Sequence, residues 1–111
     1  MSAVMNSLGA WLVLGLAGVC EIVWAVAMKY ADGWTKLWPS VITVIFASAS
    51  FWLLALALRS IPMSVGYAVW VGIGAVGVAL VGMIFLQESV NAGKIFSIIA
   101  IVVGIIGLKL T

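Results

Sequence analysis

The sequence has no histidine, one cysteine, two prolines and, across 111 residues, only five Lys or Arg and three Asp or Glu. Each scarcity excludes something. With Cys20 alone, no intrachain disulfide can form, and its expected role is that of a small apolar helix residue. Without histidine or a carboxylate cluster there is no ligand set for a metal, and no base stands by to activate a nucleophile, so neither a metal centre nor an enzymatic role has support. Charged residues make up 7% of the chain and hydrophobic ones 67%, whereas a soluble domain carries roughly 25% charge. The net charge of +2 is small and scattered, which argues against a nucleic-acid surface. No nucleotide-binding motif is present, and no cofactor is expected.

What the chain does have is long apolar runs, over residues 8–28, 37–58, 64–86 and 93–110. At about 1.5 Å per residue, each crosses a hydrocarbon core of roughly 30 Å. The reading is an all-α integral membrane protein, a single domain of four transmembrane helices over approximately 8–30, 37–58, 64–86 and 93–110, whose partner is the lipid bilayer. The first run is too long for a signal-peptide core and no Lys or Arg precedes it, so a cleaved signal is not expected. The connections are short: 29–36 (KYADGWTK) with a turn signal at Asp32-Gly33, 59–63 (RSIPM) broken by Pro62, and 87–92 (QESVNA). Such connections force neighbouring helices to run antiparallel.

Alternating spans put Arg59 and Lys109 with the N-terminus on one side, and Lys29, Lys36 and Lys94, offset by Asp32 and Glu88, on the other. The Lys and Arg balance, two against three, lacks the bias that fixes orientation. The chain is therefore expected to insert either way up, and two oppositely inserted copies form an antiparallel, dual-topology dimer, an inverted pair like the inverted repeats of larger transporters. Four helices alone make a thin bundle for a shielded polar cavity, and a second copy supplies the missing walls. Helix three carries Gly66, Gly72, Gly74, Gly77 and Gly82, and helix four Gly93, Gly104 and Gly107, which suit close helix contact. The run Gly72-x-Gly74-x-x-Gly77 also loosens a helix where bending can occur. It formally matches a dinucleotide fingerprint, but it lies inside an apolar helix with no strand before it, so that reading is rejected.

Glu21 is the one charged residue within 8–28. A carboxylate near the middle of a membrane helix costs about 2.5–3.5 kcal/mol on insertion scales, and such residues face an internal cavity and handle protons or cations. Helical spacing sets Ala17, Gly18, Trp24 and Ala25 beside Glu21. The small residues leave room for a ligand, and Trp24 offers an aromatic face. On helix two, Ser50 lies at similar depth. Its hydroxyl either orients the carboxylate or bonds back to its own helix, and both readings stand; Ser48 is the less favoured neighbour. On helix three, Tyr67 and Trp70 are spaced i, i+3, and Gly74 continues their stripe. Aromatic-belt placement suits Trp34, Trp38 and Trp11, while Trp24 and Trp70 lie too deep for it.

One acid among aromatic walls is cation chemistry. The carboxylate neutralises positive charge, and ring faces attract cations by roughly 2 kcal/mol or more when desolvated. A planar guanidinium also matches the two carboxylate oxygens with paired N–H donors. Proton and cation then compete for Glu21, and alternating exposure of the site to the two sides exchanges one for the other. Glu88, in a loop, reads as a solvated surface charge.

The patterns Gly18-x-x-Glu21-x-x-Trp24-Ala25, Lys29-Tyr30-x-x-Gly33-Trp34-Thr35-Lys36-x-x-Pro39-Ser40, Tyr67-Ala68-x-Trp70-x-Gly72-x-Gly74 and Gly104-Ile105-Ile106-Gly107-Leu108-Lys109 resemble the small multidrug resistance family of four-helix, proton-coupled exporters over essentially the whole chain. Trp24 and the stretch 72–77 resemble its guanidinium-exporting branch, the broad multidrug branch usually having a small residue at 24. The resemblance implies an antiparallel homodimer in a bacterial inner membrane. Two copies of Glu21 share one site there, surrounded by Trp24, Ser50, Tyr67 and Trp70, with Gly18, Gly72, Gly74 and Gly77 lining it or bending helices. The implied ligands are protons and a guanidinium-type cation. The chain departs from the family at Ser64, usually Gly, at Gly66, usually Ala, and at Val71, where a hydroxyl is usual. These departures keep two alternatives open: a broad exporter of quaternary ammonium or hydrophobic cations, and one half of a heterodimer of unlike subunits.

Overall fold

The computed structural model describes residues 7–111. The chain start, which the charge count sets beside Arg59 and Lys109, lies outside the described residues. Four helices follow in order: α1 Ser7–Tyr30, α2 Leu37–Ala57, α3 Met63–Phe85 and α4 Ala92–Leu110. The four apolar runs fall on these four helices, α1 continuing two residues past the first run, to Tyr30. All four are long and apolar enough to cross a membrane. A segment in lipid must satisfy its backbone internally, and a helix does so within one run of sequence.

The helix ends have local causes. After Tyr30 the chain takes left-handed backbone at Asp32, Gly33 and Trp34. The Ala31 carbonyl accepts from the backbone N–H of Thr35 at 2.9 Å and of Lys36 at 3.1 Å, so the turn closes on itself. Pro39 falls in the first turn of α2, where N–H groups have no helical partner to lose. Pro62 stands at the N-cap of α3. Asn91 caps α4, its side chain accepting from the Lys94 N–H at 2.9 Å.

Packing is unequal. Helix α1 lies against both α2 and α3, α2 scarcely meets α3, and the α4 backbone approaches α3 alone. Ala10, Leu14 and Ala17 form the buried stripe of α1, closed by Leu54 and Ala57 of α2, Ile61 of the following turn, and Val69 and Trp70 of α3. No residue of α4 is buried. It reaches the core through Ile105 and Leu108, and Lys109 Nζ lies 5.2 Å from the Trp11 ring centre. This contact sets the end of α4 beside the start of α1, as alternating spans require, and gives Trp11 a cation partner in addition to the interfacial place read from sequence. The assembly measures 42 × 36 × 17 Å. A helix with its side chains is about 10–12 Å across, so the thin dimension holds less than two helices. This is an open slab with large apolar side chains such as Trp38, Trp52 and Phe96 exposed on its surface.

Candidate functional site

Glu21 lies on the α1 side that meets α3. It sits directly on the Gly74 backbone: a Cβ added at Gly74 would overlap the Glu21 carboxyl group. The Glu21 Oε1 is shut from solvent and has no hydrogen-bond partner, and the same holds for Trp24 Nε1 one turn along. One is an acceptor and the other a donor, and buried groups of either kind are seldom left unpaired. Both residues line an open cleft of about 420 Å³, with Ala25 from α1, Val71 and Gly74 from α3, and Glu88 from the third connection. The volume is within the range of small-molecule sites.

Ser50 lies under this cleft, not in it. Fully buried, it donates from Oγ to the Ala17 carbonyl at 2.7 Å and accepts from Trp70 Nε1 at 2.9 Å. Both sequence readings of Ser50 are thereby corrected. It neither orients the carboxylate nor bonds back to its own helix, because the α1–α2 contact puts an α1 carbonyl closer. Ser48 does bond back, to Val44 at 2.8 Å. Ser50 thus ties all three inner helices and fixes the Trp70 ring.

From Trp70 an aromatic row runs in two directions. Tyr67 lies with ring centres 5.5 Å away. On the other side Phe51 lies 5.5 Å from Trp70 and 6.2 Å from Trp24. All three pairs are tilted and within the range of favourable ring contacts. Phe51 was missed in the sequence, which was read for hydroxyls on α2, although Phe51 follows Ser50 directly. It is the ring that joins Trp24 to the α3 aromatics. Tyr67 is half-exposed and is not among the cleft residues.

The glycines are contact points. Gly18 does not open room beside Glu21 but is filled by Ile73. Gly77 lies against Ile22, and Gly72 against Ile105 and Ile101 of α4. Helix α3 runs unbroken through Gly72, Gly74 and Gly77. Its glycines let α1 and α4 approach from two sides, and of the set only Gly74 lines the cleft. The departure at Gly66 also has a structural reason, since a Cβ there would meet Leu58. Among the described residues no three His, Cys, Asp or Glu gather to hold a metal.

An unpaired acid with an aromatic neighbour, in a cleft between apolar helices of membrane-spanning length, defines a multi-span membrane protein with a polar site inside its spans. The sequence profile of the family described as Small Multidrug Resistance protein matches residues 9–101. Among similar proteins, the "Guanidinium exporter" of Escherichia coli (strain K12) is 51% identical over 102 residues, covering 92% of this chain and 97% of its own. That of Yersinia pestis is 48% identical over 101 residues, 91% of this chain and 97% of its own. That of Citrobacter freundii is 47% identical over 102 residues, 92% and 97%. The chain belongs to the small multidrug resistance family, and it is a membrane transporter, not an enzyme.

Proposed function

We propose that this chain exports guanidinium or small substituted guanidinium cations from a bacterial cell across the inner membrane, in exchange for protons. The carrying observation is the unpaired Glu21 Oε1 beside Trp24 in the cleft, and relatives about half identical over nine-tenths of the chain are named for guanidinium export. A guanidinium brings charge and paired N–H donors to the carboxylate and a flat face to the Trp24 ring. A bare carboxylate is costly in the apolar slab, whereas one neutralised by a proton or a cation is not. The site therefore changes its exposure with either occupant, and the net event is exchange, with no cofactor.

The working unit is an antiparallel homodimer, with the two Glu21 residues at a shared site. An open slab 17 Å thick leaves the cleft unwalled on one side, and Gly104 and Gly107 of α4 have open space beside them. The near-even charge balance leaves both orientations accessible. A broader specificity, for quaternary ammonium cations, is favoured by one observation: Val71, with no hydroxyl, lines the cleft. Pairing with an unlike subunit is the other alternative.

The test is exchange by proteoliposomes containing only this chain, comparing guanidinium with tetraalkylammonium ions and wild type with Glu21→Gln. Proton-coupled guanidinium exchange lost in Glu21→Gln, with folding and dimerisation intact, is expected. Equal transport by the variant refutes the mechanism. Exchange of bulky cations as well moves the chain to the broad class, and inactivity alone, with activity alongside a second chain, indicates a heterodimer.

A further inference from the structure

Glu88 is exposed in the third connection, as its reading as a solvated loop charge expects, but its side chain is turned back toward α3. Gln87 adopts left-handed backbone, φ 59°, and the Glu88 N–H donates to the Gly82 carbonyl at 3.1 Å. The bond spans seven residues, Gly82 to Glu88, and the same carbonyl also accepts from the Leu86 N–H at 3.1 Å, so the chain closes back on the last turn of α3. It folds the Glu88 side chain back along α3, and the carboxyl group comes to rest on Gly82, where a Cβ would overlap it. Both acids of the Glu21 cleft therefore sit on α3 glycines, Glu21 on Gly74 and Glu88 on Gly82. Eight residues of helix separate these seats, about 12 Å at 1.5 Å per residue.

Glu88 lines two spaces at once. One is the Glu21 cleft. The other, about 510 Å³, lies between α3 and α4. Ala75 and Ala79 belong to both, so the two join along a floor of small side chains that Glu88 overlooks at the connection end. Lys94 also lines the second space and is the natural ion-pair partner. Its ammonium is instead turned to Ser89, donating to the carbonyl at 2.8 Å and the hydroxyl at 3.2 Å. Among the described residues, Glu88 has no ion-pair or hydrogen-bond partner for its carboxylate. At the inner end of the same cleft, Glu21 Oε1 and Trp24 Nε1 are buried and unpaired.

We propose that Glu88 is a second cation-binding carboxylate, which holds a guanidinium-type cation at the mouth of the cleft on its way to or from Glu21. The proposal rests on Glu21 being the inner cation site. A cation on Glu88 has an acid ahead of it and, where the two spaces join, a floor whose side chains, Ala75 and Ala79, are no larger than a methyl group. Low-dielectric walls focus the field of Glu88 along the cleft and raise the local cation concentration. Lys94, held by Ser89, neither occupies Glu88 nor lines the inner cleft.

Two measurements test this on the full chain. In proteoliposomes, Glu88→Gln is expected to raise the KM for guanidinium about three- to tenfold at low ionic strength, with a smaller change in maximal rate and a gap that narrows as salt rises. A KM equal to wild type at low salt overturns the proposal. The second measurement does not depend on transport. Glu21 and Glu88 are the only glutamates, so the Glu21→Gln chain labelled at the glutamate carboxyl carbon gives a single NMR resonance, from Glu88. In bicelles, millimolar guanidinium chloride is expected to shift it saturably, and sodium chloride at equal ionic strength not to. An identical response to the two salts refutes the second site. If wild type and Glu21→Gln transport equally, the inner site falls, and the resonance still decides whether Glu88 binds the cation.

Discussion

Removing the Ser50 hydroxyl tests how the site is held. Ser50 is fully buried, and its Oγ makes two bonds, to the Ala17 carbonyl at 2.7 Å and from Trp70 Nε1 at 2.9 Å. Side-chain hydrogen bonds between membrane helices are worth about 0.6–1.7 kcal/mol each. Ser50→Ala loses both and strands the indole N–H, a buried unpaired donor that costs about 1–3 kcal/mol. The Ala17 carbonyl stays within the α1 ladder, so the stranding falls on Trp70 alone, and a total near 2 kcal/mol is expected. Trp70→Phe loses one bond and leaves a cavity, together about 2 kcal/mol. In the double variant the indole bond cannot be lost twice and no N–H is stranded. Its cost should therefore fall short of the sum by about 1–2 kcal/mol. The assay is unfolding in mixed micelles, followed by circular dichroism at one fixed chain concentration, because mass action shifts the apparent stability of an oligomer. Additivity within about 0.5 kcal/mol would mean that the indole–hydroxyl bond contributes nothing, and the account of Trp70 as fixed by Ser50 would be wrong.

Two glycine substitutions separate seat from spacer. Gly74→Ala puts a methyl where the Glu21 carboxyl lies; the carboxyl is the flexible end of its side chain, and alanine favours helix by up to about 1 kcal/mol. Stability should hold while guanidinium exchange falls at least about tenfold, a loss of roughly 1.4 kcal/mol in transition-state stabilisation, and wild-type exchange in liposomes would show that the acid does not need this seat. Gly77→Ala meets Ile22 instead and should destabilise by about 1–3 kcal/mol through overpacking. Adding Ile22→Ala should recover much of that loss in the same unfolding assay, and a purely additive pair would place the strain elsewhere.

How much was legible in the sequence depended on the range of the interaction. Four helices followed from four apolar runs, and two of the breaks between them from Gly33 and Pro62, because those signals act within a few residues. Glu21 and Trp24 were legible as neighbours because they lie one turn apart on α1. Ser50 was misread because its acceptor is 33 positions away in sequence, and the periodicity of one helix does not set its rotation against another. Gly18 was misread for the same reason: small size says that something approaches, not whether that is a ligand or Ile73. Phe51 acquired its place only when α1 and α3 brought Trp24 and Trp70 to either side of it.

The sequence by itself thus determined that this chain has four membrane-spanning segments and that one carboxylate, Glu21, lies deep within the first of them, since burying charge and backbone in lipid is too costly to be incidental. Which groups surround that carboxylate was decided by tertiary structure. Helix α1 lies between α2 and α3, Gly74 lets the acid rest on α3, and the left-handed turn at Gln87 swings Glu88 back toward the cleft. These outcomes depend on helix rotation and on one backbone dihedral, which packing between distant segments sets and no local run of sequence encodes.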